Sequence, residues 1–145
     1  DAEKRAWLGY GYGAYWDVGL ANDPLIRAEA GSWLASVDTG VINQAHHGYL
    51  ELWLHIGLPM TIFASAFVAQ RAAFGGMRAL FGAGKRESRI FLGGLAALLC
   101  IFLLHNLTEA SLFMRGEIFS NFAVFAMLLL SRARDLESRT PGGLR

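Results

Sequence analysis

The chain has 145 residues, of which 54% are hydrophobic, and its mean hydropathy is +0.34. This composition is too apolar for an ordinary soluble domain, and 13 Lys and Arg against 12 Asp and Glu leave no basic surface for nucleic acid. The single cysteine, Cys100, excludes a disulfide framework within the chain. We therefore predict an all-α, multi-pass transmembrane helical protein with an extramembrane loop containing short helices. Because the chain starts at Asp1 with no signal peptide, we expect it to be a fragment of a longer protein whose earlier helices are missing.

The segments alternate between polar and apolar stretches along the chain. Residues 1–45 are Gly-rich and lack a long apolar run, which predicts an extramembrane loop. Residues 46–69 are predicted to form a surface helix that continues into a membrane span, since a span takes roughly 20 apolar residues. The remaining segments are predicted to be a loop at 70–89, a span at 90–107, a turn at 108–117, a span at 118–131 and a tail at 132–145.

The basic residues predict which side of the membrane each segment faces. Cytoplasmic loops are enriched in Lys and Arg, and nine of the 13 basic residues lie in the loop at 70–89 or in the C-terminal tail. Residues 1–45 and 108–117 are therefore predicted to face the periplasm of a bacterial inner membrane, with the C-terminus in the cytoplasm. The nine residues are Arg71, Arg78, Lys85, Arg86, Arg89, Arg132, Arg134, Arg139 and Arg145.

Two local patterns mark the outer end of the first span. Alternate glycines at positions 9, 11 and 13, flanked by Trp7, Tyr15 and Trp16, are predicted to end a helix at the membrane surface, where aromatic residues collect. Pro59 has no N–H to donate to the carbonyl of His55, so we expect a kink and a free acceptor there.

Three of the four histidines lie within ten residues at this outer end, and three interpretations are open. His47, Glu51 and His55 recur at i, i+4 and i+8, a spacing that would suit zinc ligands on one helical face. The same spacing is typical of an amphipathic interfacial helix whose polar stripe touches water. Alternatively, one histidine is a general base, because a neutral imidazole accepts a proton near neutral pH.

The stretch AHHGYLELWLHIGLP, residues 45–59, resembles the superfamily of O-antigen ligases and of O-antigen and exopolysaccharide polymerases. In that family a histidine is usually followed by Asn, Ser or Gln. Nine further residues come next, and then GxxG or a variant of it. His46 and Gly57 fit this spacing, whereas His47 and Met60 depart from the usual Asn and final Gly, Thr or Tyr. LGYGYGAYW at 8–16 and NLTE at 106–109 resemble other family segments in the same order. The likeness therefore covers most of residues 8–110 and implies that the chain is the C-terminal part of a family member.

The resemblance implies glycan transfer at the periplasmic face of the inner membrane, without a metal or other cofactor. The donor would be a glycan linked to undecaprenyl diphosphate, and the acceptor a hydroxyl of another lipid-linked repeat or of a lipid A core. It implies that His46 is the catalytic base and that arginines neutralise the departing diphosphate. The outward-facing substrate-binding candidates are Arg5, Arg27, Glu109 and Arg115.

Two other functions are compatible with a membrane chain of this kind. Related sequences have been assigned to bicarbonate transport, but a transporter is expected to carry ionisable residues near the bilayer midplane, and here they cluster at the outer end. The second alternative is a non-catalytic component of an envelope assembly.

Overall fold

The computed structural model of the chain describes residues 5–16, 31, 45–114 and 116–138, with side chains up to residue 133. Within these ranges the chain forms four helices and no strand, which confirms the all-α prediction for the described residues. The helices are α1 (Gly48–Ile56), α2 (Leu58–Phe81), α3 (Arg86–His105) and α4 (Ile118–Ser138).

The chain divides into two compact units. The first, which we call the outer-mouth unit after the position that the sequence predicts for residues 46–59, comprises Asp1–Ala64 and Asn106–Leu112, and contains α1 and the first turns of α2. Its core combines the buried side chains of Leu52, Leu54 and Leu112 with buried polar groups. The second, the helical unit, comprises Ser65–His105 and Phe113–Arg145, and contains the rest of α2 with α3 and α4.

A break at Gly57 divides the helix that is predicted, with a kink at Pro59, across 46–69. Gly57 ends α1 with φ +82°, a left-handed conformation that favours glycine, and α2 begins at the next residue. A β-carbon at Gly57 would also collide with the carbonyl of Trp7. Pro59 lies in the first turn of α2, where a missing N–H is tolerated. In place of the expected kink, one helix therefore ends before Pro59 and a new helix begins.

Helix α2 also extends to Phe81, through residues that were predicted to form the loop at 70–89. The segment QRAAFGGMRALF is rich in strong helix formers, and polar side chains alone do not end a helix. Its last turn is capped from α3, where the Arg89 guanidinium donates to the carbonyls of Ala79 (2.8 Å) and Leu80 (2.6 Å). Likewise, α4 continues to Ser138, into the predicted tail at 132–145.

Small residues allow close packing in the helical unit. Gly75 of α2 faces both other helices, since a β-carbon there would lie 2.9 Å from Leu130 Cδ2 and 3.1 Å from Ala96 Cβ. Gly93 of α3 would similarly approach Ala79 at 3.2 Å. Small residues at helix contacts are typical of membrane helices, where backbones approach closely. The buried apolar residues of this unit are Val68, Ala72, Leu92, Ala96, Leu99, Phe102, Ala123, Ala126, Met127 and Leu130.

Among the described residues one helix, α3, is long and apolar enough to cross a membrane. Only 22% of its apolar window is buried within the protein, unlike the core helix of a soluble domain. The apolar part of α4, Ile118–Ala133, is shorter. The structure thus supports one possible span where the sequence predicts three.

The adjacent glycines of α2 test the close packing. Gly76→Ala should stabilise the protein by up to about 1 kcal/mol, because alanine favours helix and nothing lies within 4 Å of the new β-carbon. Gly75→Ala should be less stable than Gly76→Ala by about 1–3 kcal/mol, the usual effect of overpacking. The measurement is the free energy of unfolding of both variants in detergent. Equal stability of the two would contradict the close approach at Gly75.

Candidate functional site

The site is built around the N-terminus of α1. His47 is the N-cap residue, with extended backbone angles (φ −155°, ψ 104°), and its Nδ1 accepts a hydrogen bond from the Leu50 N–H at 3.2 Å. This capping bond satisfies one of the free N–H groups at the helix start. Asparagine is among the preferred N-cap residues, so His47 performs the structural role that Asn would perform at this position.

His46 precedes the cap in a rare backbone conformation. Its φ is +49°, in the left-handed region that non-glycine residues seldom adopt. The side chain is 63% exposed, and its Nδ1 lies 3.8 Å from Glu109 Oε2, whose side chain is 51% exposed. This separation is within ion-pair range but longer than a hydrogen bond. The structure therefore brings together an accessible imidazole and an accessible carboxylate that are 63 positions apart in the sequence.

The segment that carries Glu109 is fixed to the start of α1 by Asn106. The Asn106 side chain is fully buried, and its Oδ1 accepts hydrogen bonds from the backbone N–H (3.0 Å) and hydroxyl (3.3 Å) of Ser111. The backbone carbonyl of Asn106 accepts a hydrogen bond from the Gly48 N–H at 2.9 Å. Gly48 has no side chain to separate the two segments, whereas a β-carbon there would collide with the Asn106 side chain. Asn106 thereby closes a turn that places Glu109 beside His46.

Glu51 is a buried carboxylate at the centre of the outer-mouth unit. Its Oε1 accepts from the Trp16 indole N–H at 2.7 Å, and its Oε2 accepts from the Ala45 backbone N–H at 2.7 Å. His55, one turn later on α1, has Nε2 3.2 Å from Glu51 Oε1. That distance suits an ion pair, but neither ring nitrogen of His55 meets hydrogen-bond geometry with any described residue. The contact of His55 with Glu51 is therefore electrostatic, whereas the contacts of Trp16 and Ala45 with Glu51 are hydrogen bonds.

The glycine-rich segment packs against the end of α1. Tyr10 N–H donates to the carbonyl of Leu54 (2.7 Å), and Gly11 N–H donates to the carbonyl of His55 (2.9 Å). A β-carbon at Gly9 would lie 2.6 Å from the His55 carbonyl carbon, so only glycine permits this approach. The acceptor that Pro59 leaves free is therefore used by another part of the chain.

The aromatic residues of this segment divide into two groups. Trp7 is 78% exposed, as expected of a surface aromatic, but Tyr15 is 7% exposed and Trp16 is bonded to Glu51. The predicted surface role therefore fits Trp7 but is wrong for Tyr15, which is buried, whereas Trp16 is partly buried.

Two of the interpretations of the histidine cluster lack support. The interfacial-helix interpretation is wrong, because the side chains of Glu51 and His55 are 0% and 3% exposed and do not touch water. For the metal interpretation, the part of the chain that the structure describes holds no group of three His, Cys, Asp or Glu able to bind an ion. The Nδ1 of His47 is already used by the helix cap.

The arginine candidates are only partly located. Arg5 is exposed, and its guanidinium carbon lies 5.2 Å from the centre of the Tyr10 ring, a cation–π contact. Arg27 and Arg115 lie outside the described residues.

Tyr49 lies near the start of α1. Partial burial raises the pKa of its phenol, so this side chain is protonated and neutral near pH 7.

The role of Glu51 was not predicted as such. The sequence places it on a polar stripe with His47 and His55, but that pattern does not distinguish a wet stripe from a buried acceptor. The available signal was a carboxylate one turn before a histidine, inside an otherwise apolar helix near tryptophans.

Comparison of the chain with protein-family models, with curated proteins and with solved structures finds no match.

The left-handed conformation of His46 can be tested by stability alone. His46→Gly and His46→Ala both remove the imidazole, but glycine adopts φ +49° without strain and alanine does not. We expect His46→Gly to be more stable than His46→Ala by about 1 kcal/mol. The measurement is the unfolding midpoint of both variants in detergent. A more stable alanine variant would contradict the positive φ.

Proposed function

We propose that this chain contributes the catalytic base of a membrane glycosyltransferase, which moves a glycan from undecaprenyl diphosphate to an acceptor hydroxyl at the periplasmic face of the bacterial inner membrane. The observation that carries the proposal is the juxtaposition of His46 and Glu109 at an accessible helix start. The resemblance of residues 45–59 and 106–109 to the O-antigen ligase and polymerase superfamily supplies the reaction class. These two stretches supply the histidine and the carboxylate that the structure brings together.

The geometry suits a general base. A neutral imidazole is able to accept a proton near neutral pH, and 63% exposure of His46 leaves room for a bulky sugar acceptor. Once the imidazole is protonated, the Glu109 carboxylate 3.8 Å away stabilises the new positive charge. Strained backbone at a non-glycine residue is concentrated at functional sites, which agrees with the positive φ of His46.

The proposed step is a displacement at the anomeric carbon of the donor sugar. The acceptor oxygen forms a bond to that carbon while its proton passes to the imidazole of His46. The bond between the anomeric carbon and the diphosphate oxygen breaks, and undecaprenyl diphosphate leaves with the electron pair. Arg5, Arg27 and Arg115 are the outward candidates to neutralise that leaving group.

The apolar surface of the helical unit supports a membrane location with several spans. Large hydrophobic side chains on all three of its helices are more than half exposed, an exposure that soluble proteins rarely tolerate over a wide surface. Lys85 on the loop between α2 and α3, with Arg78 near the end of α2 and Arg86 and Arg89 in the first turn of α3, supports placing that loop in the cytoplasm. The exposed residues are Met77, Leu80, Phe81, Ile90, Phe91, Ile101, Leu104, Ile118, Phe122, Phe125 and Leu128.

Replacement of His46 tests the function directly. His46→Ala should lower transfer by roughly 10² to 10⁴, the usual contribution of a general base. Glu109→Gln should lower it by about fivefold, the rate equivalent of roughly 1 kcal/mol for two charges near 4 Å apart in water. The assay follows radiolabel from a lipid-linked oligosaccharide in membranes with equal amounts of the whole protein.

His47→Asn is the matched control for this experiment. It also removes an imidazole, but asparagine retains the capping acceptor, so transfer should stay at the wild-type level. Full activity of His46→Ala would contradict the base assignment. Absence of transfer by the wild-type protein under all donor conditions would favour a transporter or assembly component.

The proposed topology predicts opposite labelling of two exposed glutamates. In a Cys100→Ala background, a cysteine replacing Glu117 should react with an impermeant maleimide in intact spheroplasts, because the turn before α4 is placed in the periplasm. A cysteine replacing Glu87 should react only after permeabilisation, because the start of α3 is placed in the cytoplasm. The reverse pattern would invert the topology.

A further inference from the structure

The Glu51 carboxylate connects three separate parts of the outer-mouth unit. It accepts one hydrogen bond from the glycine-rich segment, through the Trp16 indole N–H, and one from the backbone N–H of Ala45, the residue before His46. Its own helix adds His55 at 3.2 Å. The side chain is 0% exposed, although a buried carboxylate is stable only when its oxygens are well bonded.

We propose that Glu51 is a positioning residue that fixes the catalytic conformation of His46 by holding the Ala45 N–H. The inference rests on the proposed function of His46. Ala45 immediately precedes His46, so the bond from Ala45 N–H to Glu51 Oε2 restrains the backbone directly before the residue with φ +49°. On the other side, the cap formed by His47 restrains the backbone directly after it.

These two restraints together explain how a strained residue is kept in place. A non-glycine residue in the left-handed region reverts to commoner angles unless its surroundings restrain the backbone on both sides of it. Here Glu51 holds the N–H of Ala45, the residue before His46. The residue after it, His47, is held at the start of α1 because it accepts hydrogen bonds from the backbone N–H groups of Leu50 and Glu51. A misplacement of the base by about 1 Å is enough to lower a rate by about 10².

The two oxygens of Glu51 each face one N–H donor, and this makes an amide substitution informative. In Glu51→Gln the side chain keeps its size, but only one atom is an acceptor and the NH₂ group faces the other donor. Either Trp16 or Ala45 must then face a donor instead of an acceptor. Removing the indole N–H by Trp16→Phe removes this conflict, so the glutamine oxygen is free to turn toward Ala45.

The test is a double-substitution cycle in membranes that contain the whole protein. We expect Glu51→Gln to lower kcat by about 10² with KM for the acceptor changed by less than about twofold. Trp16→Phe alone should cost less, and the double variant should recover kcat to about that of Trp16→Phe. Glu87→Gln, the same chemical change at an exposed glutamate, should leave kcat unchanged.

Amide hydrogen exchange provides a second measurement that does not depend on the reaction. The peptide with Ala45 and His46 should exchange faster in Glu51→Gln than in wild type, and return toward the wild-type rate in the double variant. If Glu51→Gln is fully active while His46→Ala is inactive, the positioning role is overturned and the proposed function stands.

Two further outcomes separate the positioning role from the alternatives. If the double variant loses more activity than Glu51→Gln, or if kcat falls only in proportion to folded protein, Glu51 is structural and the positioning role is overturned. If exchange follows the expected pattern while His46→Ala transfers normally, the function of His46 is overturned, and with it the catalytic meaning of the Glu51 bond.

Discussion

The organisation of the outer-mouth unit depends on the burial of one carboxylate. A carboxylate withdrawn from water is unfavourable unless N–H groups replace the lost hydration, and Glu51 obtains them from Trp16 and from the Ala45 backbone. Because these donors lie 35 and 6 positions away from Glu51, satisfying it requires the glycine-rich segment and the approach to α1 to meet. His46, with its positive φ, lies between Ala45, whose N–H is held by Glu51, and His47, the N-cap of α1.

The break between α1 and α2 likewise leaves polar groups that a distant segment must satisfy. Ending a helix leaves carbonyls without partners, and the carbonyls of Leu54 and His55 are completed by N–H groups of Tyr10 and Gly11. The approach is close enough to require glycine at position 9, whose φ of +66° also favours glycine, so contact and backbone conformation both explain this residue. The break therefore serves as a docking surface for the N-terminal segment.

The helical unit follows different physical rules. Its interior relies on small residues and close helix contact, and its periphery presents large apolar side chains. Such a unit is consistent with a hydrocarbon surrounding, in which helices associate by packing and not by exclusion of water. Within the proposed function, the helical unit anchors the chain, and the reacting groups lie in the outer-mouth unit.

The sequence by itself determined the helical class and the apolar character of α3, because these depend on composition and short-range periodicity. The sequence predicted the helix boundaries less well. Helix α2 continues through residues 70–81 although they are less apolar, and the break between α1 and α2 lies at Gly57 and not at Pro59.

Only the tertiary structure decided that Glu51 and His55 are buried and that His47 is a cap. It also decided that Glu109 lies beside His46. The physical reason is that a helical stripe shows which residues share a face, whereas burial and pairing depend on what distant segments cover that face. Here those segments are the glycine-rich segment and the turn closed by Asn106. Both contact α1 through backbone hydrogen bonds, which the pattern of side chains in the sequence does not reveal.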